Sequence, residues 1–130
     1  MTNLEEAQAY FQGDRFATEN GAKILELGED YAICEMQLED RHRNALGAVM
    51  GGAVFTLADF AFAVASNFGK KSTVSTTSQI TFLRSAKGNT LYAKAQEVRS
   101  GRTSVYYEVS VTDDTGALVA RVTASGQIIG

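Results

Sequence analysis

Asp59 is the only charged residue within positions 44–69, in a chain where 21% of residues are charged. It lies in an apolar run that includes Val54, Phe55, Leu57, Phe60, Phe62 and Val64. An ionised carboxylate in such a segment loses much hydration energy unless a partner compensates. The residues one turn away, Phe55 and Ala63, offer no base. Lone acids in such segments tend to have shifted proton affinities and catalytic duties. The alternative is an aspartate that faces solvent or a subunit interface and caps a neighbouring element.

Gly51-Gly52, at the head of the same run, supplies a complementary chemistry. A helix start carries unpaired backbone N–H groups, and glycine lets a ligand atom approach without a Cβ in the way. Such donors polarise a carbonyl and hold the oxyanion formed when it is attacked. The plainer role of a glycine pair is a tight turn from loop into helix. Asp59 lies seven residues beyond Gly52, on the same helix face but about 10 Å along the axis. An attacking group must sit within about 3.5 Å of the carbon whose oxygen the donors hold. One helix therefore does not easily do both jobs. Two antiparallel copies across a two-fold axis do, which predicts a homodimer with two sites at its interface.

These groups must be held by elements that the sequence also indicates. The apolar run predicts a central helix within 52–68, followed by Gly69 and by Lys70 and Lys71 at its negative end. Residues 4–16 predict a short amphipathic helix capped by Asn3, with Gly13 arguing for fraying or an early stop, inside an N-terminal region of 1–20. Strands are predicted over 23–29, 31–38, 73–84, 90–98, 103–112 and 118–124. Ala32, Cys34, Met36 and Leu38 share one face, and Cys34 reads as a small buried hydrophobe. Val74, Ile80 and Phe82 form a face of the next strand. Val105, Tyr107, Val109 and Val111 alternate against Tyr106, Glu108, Ser110 and Thr112, and residues 113–116 read as a hairpin turn. A helix apolar all round beside six strands is best buried by a curved antiparallel sheet wrapped about it. The prediction is a single α+β domain over 1–130, with five or six antiparallel strands around one long helix and a short N-terminal helix.

Composition removes several function classes. The chain has 130 residues, 12 basic and 15 acidic, and a net charge of −3, so it lacks a footprint for nucleic acid or an anionic membrane. The central helix is too short, and too polar at Thr56, Asp59 and Ser66, to span a bilayer. The acidic start shows no secretory signal, which makes the cytoplasm the expected location. One cysteine and one histidine leave no internal disulfide and no Cys/His zinc set.

The run HRNALGAVMGG at 42–52, followed by Phe55, Leu57 and Asp59 and by the AFAVASN stretch at 61–67, resembles the hotdog-fold acyl-CoA thioesterases. Within them it is most similar to the phenylacetic-acid-degradation (PaaI-like) group. That group's pattern is H-x-N-x-x-G-x-x-H-G-G, then L-x-D within the central helix. ITFLR at 80–84 resembles the group's next strand. The resemblance implies that Asp59 is the catalytic carboxylate, as nucleophile or general base on a thioester. It implies that Gly52 gives the N–H that polarises the thioester carbonyl, with Gly51 beside it, and that Asn44 orients substrate or water. A Ser or Thr often stands beside the carboxylate, from the strand after the helix. Ser75 is the first candidate and Thr77 the second, on the expectation that they share a strand face.

One position departs from the pattern. The histidine before Gly-Gly is Met50 here, and a thioether neither donates a useful hydrogen bond nor titrates. His42 matches the earlier family histidine and either contributes to the site or shapes the loop. Arg84, Lys87, Arg99 and Arg102 are candidates for coenzyme A phosphates, with the loop N–H groups of 100–102. Tyr10, Phe11, Phe16, Phe60 and Phe62 could line an acyl pocket, although core packing is the default for each. The implied protein is a homodimeric or homotetrameric acyl-CoA thioesterase for an aryl-acetyl or short- to medium-chain acyl group. No metal or redox cofactor is implied, and coenzyme A enters only as part of the substrate. Two alternatives keep the fold: a non-catalytic acyl-CoA binder, and a dehydratase or isomerase of acyl thioesters.

Overall fold

The structure, a computed structural model, describes residues 2–130. Its long helix, α3 (Gly51–Asn67), crosses a six-stranded sheet whose strands are β1 (Ala22–Leu27), β2 (Tyr31–Gln37), β3 (Thr73–Phe82), β4 (Thr90–Ser100), β5 (Ser104–Asp113) and β6 (Leu118–Ile128). The spatial order is β1-β2-β4-β5-β6-β3, every pairing antiparallel. The chain thus leaves β2 near one edge, runs along α3, and re-enters the sheet at the opposite edge as β3.

The helix packs on the buried face of the sheet, where many of the strand residues are small. Ala32, Cys34, Ala93, Ala95, Ala120 and Ala124 are all buried, together with Val54, Leu57, Ala58, Ala61 and Val64 of α3. Gly126 lies under the Phe62 ring, where an added Cβ would stand 3.1 Å from Phe62 and 2.8 Å from Thr73. Phe62 in turn meets Tyr107 edge to face at 5.3 Å. Burial pushes the Cys34 thiol up to about 12, so it is the packed hydrophobe expected. The Lys70 ammonium donates to the Ala65 carbonyl at 2.8 Å and satisfies the helix C-terminus.

Several boundaries differ from the sequence expectations for identifiable reasons. The N-terminal helix is two helices, α1 (Asn3–Phe11) and α2 (Arg15–Glu19), broken around Gly13. Thr2, not Asn3, caps α1, in a reciprocal box with Glu5. β3 carries a bulge between Ser75 and Thr77, with the Thr76 hydroxyl donating to the Ser125 carbonyl. The extra residue flips the alternation: Ser75 pairs with buried Gly126, whereas Thr77 pairs with Ser125. Val74 therefore falls on the face opposite Ile80 and Phe82, and Ser75 and Thr77 do not share a face.

Asp113 closes β5 and is buried instead of standing in the turn. Its Oδ1 accepts from the Thr115 and Ala117 amides and the Thr115 hydroxyl, and its Oδ2 accepts from the Lys87 amide. Burial alone would raise this carboxyl, but those hydrogen bonds overrule it and hold it at about 2. Among the described residues no helix is long and apolar enough to cross a membrane.

Candidate functional site

One stripe of α3 is not covered by the sheet. Gly52 and Asp59 are exposed, and Phe55, Thr56 and Ala63 are half-buried along the same helical face. The helix is therefore not buried on all sides, as its composition suggested. Asp59 stands on this open stripe instead of inside the core. Its carboxylate has no hydrogen bond or ion pair among the described residues. Partial desolvation raises its pKa from its ordinary value, and the nearby Asp14 charge raises it further.

α2 packs beside this stripe and makes it a groove. Phe16, 76% exposed, and Phe55 and Thr56 line two adjoining cavities, one of about 330 Å³ and one of about 480 Å³. The smaller reaches the helix start at Met50, Gly52 and Ala53; the larger reaches Asp59, Phe60 and Asp14. The acid and the helix start thus open onto one largely apolar channel. Of the five aromatics considered from sequence, Phe16 alone lines both cavities. Phe11, Phe60 and Phe62 are buried, although Phe60 touches the larger cavity, and Tyr10 lies exposed elsewhere.

The two glycines have different reasons to be glycine. A Cβ on Gly51 would stand 2.7 Å from the Phe82 ring. Gly52 has no such constraint: its nearest neighbour would be the Met50 methyl at 3.4 Å, and its backbone is not in the left-handed region. Turn geometry therefore does not explain Gly52. The Gly51 and Gly52 amides find no acceptor among the described residues, whereas Ala53 and Val54 donate to the Met50 carbonyl. Free donors at an exposed helix start are what carbonyl polarisation requires.

The preceding motif builds the loop that delivers this helix start. His42 is buried; its Nδ1 accepts from the Glu39 amide at 3.0 Å, and its Nε2 lies 2.7 Å from the Asn20 carbonyl. An imidazole whose Nδ1 accepts must carry hydrogen on Nε2 to donate to a carbonyl. Both ring nitrogens are thus committed to backbone, and of the two roles open to His42 the structure selects loop shaping. The Asn44 Oδ1 accepts from the Leu46 and Ala48 amides at 3.0 and 3.1 Å. Its amide nitrogen remains available to a ligand. Gly47 turns the same loop at φ +87°. Met50, 44% exposed, occupies the N-cap position and makes no side-chain capping bond.

The remaining candidates are dispersed. Ser75 lies on the helix-facing side of β3 and Thr77 on the other, both exposed, and neither touches Asp59 within the chain. Arg84 and Lys87 lie between β3 and β4, at the end of the sheet where Phe82 meets Gly51. Arg99 and Arg102 lie at the β4–β5 hairpin, a β4 length (about 33 Å) away. One chain cannot bring both pairs to a single phosphate group. Sequence reasoning missed Phe55 and Thr56 as site residues, although they stand three and four positions from both Gly52 and Asp59 and so share their stripe. It also missed Asp14, which α2 packing alone brings to the groove.

Comparison with known proteins gives a consistent result. The thioesterase superfamily model matches residues 46–120. A protein of Archaeoglobus fulgidus with an esterase designation is 36% identical over 111 residues, covering 85% of this chain and 72% of its own. Acyl-coenzyme A thioesterase PaaI of Escherichia coli is 30% identical over 127 residues, covering 97% of this chain and 91% of its own. The solved structure of E. coli PaaI superposes with a TM-score of 0.91 at 29% identity, over 98% of this chain and 94% of its own. A Streptococcus mutans protein solved with acetyl CoA bound gives a TM-score of 0.80 at 27% identity, over 85% and 90%.

Proposed function

The chain belongs to the thioesterase superfamily and has its hotdog fold, which makes it a thioester hydrolase, and we propose that its substrate is an aryl-acetyl or short- to medium-chain acyl-CoA. The observation that carries this reading is the open stripe of α3. It presents free Gly51 and Gly52 amides and an unpaired Asp59 along one apolar groove. The channel suits an apolar acyl or aryl group, and two similar proteins are described with coenzyme A chemistry: PaaI as an acyl-CoA thioesterase, the S. mutans protein with acetyl CoA.

The working unit in this reading is a homodimer, which can pair further into a tetramer, acting in the cytoplasm. Within one chain the donors and the acid are about 10 Å apart, too far for a single thioester. Two copies with antiparallel α3 helices bring the Gly52 amide of one to Asp59 of the other. β3 supports this arrangement, because it pairs with β6 on one side and, among the described residues, with no strand on the other. The Gly52 amide polarises the thioester carbonyl and holds its oxyanion. Asp59 attacks the carbonyl carbon or takes a proton from the water that does. On the first route the Asp59 oxygen bonds to the carbon as the C–S bond breaks, and water then cleaves the mixed anhydride and returns the carboxylate; on the second the water oxygen bonds to the carbon directly as the C–S bond breaks. On both routes the water oxygen stays on the released acid and a water proton ends on the coenzyme A thiol. Ser75 donates to the carboxylate across the interface, the Asn44 amide orients substrate or water, and Arg84 meets the phosphates from the helix-start end.

Thiol release from a panel of acyl-CoAs tests the assignment. Asp59→Ala is expected to lose about 100-fold or more in kcat, the usual contribution of a positioned acid or base. Met50→His, which restores the imidazole of the family pattern, is expected to raise kcat/KM. Release unaffected by Asp59→Ala would overturn the role of the carboxylate. Tight binding of acyl-CoA without release, unchanged by Met50→His, would identify a binder.

A further inference from the structure

Asp14 opens onto the same cavity as Asp59. It occupies the N-cap position of α2, where an aspartate usually accepts from a backbone amide, yet its side chain makes no capping bond. It forms no ion pair among the described residues either. Among the described residues the one cation lining the cavity, Arg15, pairs with Glu19 one helical turn on. The other walls, Phe16, Ala17, Phe55, Thr56 and Phe60, carry no charge. Two carboxylates therefore share a partly apolar cavity with its cation engaged elsewhere.

We propose that Asp14 is a positioning acid of this site, an anion held across the groove that makes Asp59 the stronger base. This rests on the reading of Asp59 as the group that acts on the thioester. Like charges in one cavity disfavour joint ionisation, so the proton is retained more tightly by the pair. Both residues keep solvent contact; the partial desolvation of each raises its carboxyl, and the Asp14 charge adds to the rise at Asp59. Substrate seated in the groove excludes water and strengthens the coupling. Asp14, the residue before α2, acts on the chemistry through its charge on Asp59, the group that meets the thioester in this reading.

The test is a carbon-detected NMR titration of the side-chain carboxyls in the full chain, with kcat/KM measured against pH in parallel. In Asp14→Asn the Asp59 midpoint is expected to fall, and the acid limb of kcat/KM to move to lower pH with it. Asp14→Glu keeps the charge and is expected to restore both. The difference between wild type and Asp14→Asn should shrink at high salt, since it is Coulombic. The α2 cap uses only the Asp14 carbonyl, which accepts from the Thr18 amide at 3.0 Å, so Asn is expected to fold normally. An unmoved Asp59 midpoint in folded Asp14→Asn would overturn the inference. If the midpoint moves but the wild-type chain releases no thiol, the functional reading fails while the coupling stands.

Discussion

Gly52 poses the sharpest question at the scale of single residues, because nothing in its own chain requires glycine there. Alanine would be accommodated beside the flexible Met50 methyl, and alanine is the better helix residue by up to about 1 kcal/mol. The expected outcome of Gly52→Ala is a melting temperature unchanged or raised, with kcat lowered because the new Cβ stands at the approach to the amide. Thermal melts and thiol-release assays on the same preparation check this; lost stability with normal kcat would assign Gly52 a structural role instead. The sequence made the glycine pair visible, but it could not separate Gly51, which the Phe82 ring constrains, from Gly52. That distinction depends on a contact with β3 across 31 positions of chain. For the same reason Asn44 was legible as a motif residue and not as a loop-builder, whereas loop shaping was already one of the two readings of His42, and its Asn20 partner, brought by folding, decides between them.

Among the elements, charge depletion was enough to locate α3, and alternation was enough to orient β5, whose Val105, Tyr107, Val109 and Val111 are all buried. Periodicity failed at β3, because one extra residue at Thr76 reverses every face assignment across it. It failed also at Asp113, whose neighbours read as turn residues although the carboxylate is the buried anchor of the turn. Asp113 ties the β5–β6 turn to the loop before β4 through the Lys87 amide. Its folded-state carboxyl, at about 2, lies below its ordinary 3.8, so it stabilises the fold above that ordinary value. The contribution is lost as pH falls through about 2. Asp113→Ala, which strands several buried donors, is expected to cost about 2 kcal/mol at neutral pH. Urea titrations at pH 7 and near pH 2 check both parts: the gap between wild type and variant should narrow at the lower pH. An equal gap at both would contradict the assignment.

The two edges of the sheet are unequal at the scale of the whole molecule. At β1, α1 packs against the edge and the Gln8 side-chain amide donates to the Ile24 carbonyl at 2.8 Å. At β3 no strand among the described residues closes the edge, where the Asn67 side chain takes the Thr73 amide at 2.8 Å, and the open stripe of α3 belongs to the same chain. An isologous contact there would cover an exposed edge and a half-apolar helix face, and the sites would be shared between subunits. Complementation tests that sharing most directly. Gly52→Pro removes the amide at a first-turn position, where proline is tolerated, and Asp59→Asn removes the acid. Each variant alone is expected to be inactive. Mixed in equal amounts and allowed to exchange subunits, they should recover roughly a quarter of wild-type activity, since half the dimers are mixed and each mixed dimer holds one intact site. No recovery, with mixed dimers demonstrated by native mass spectrometry, would contradict a site built from two chains.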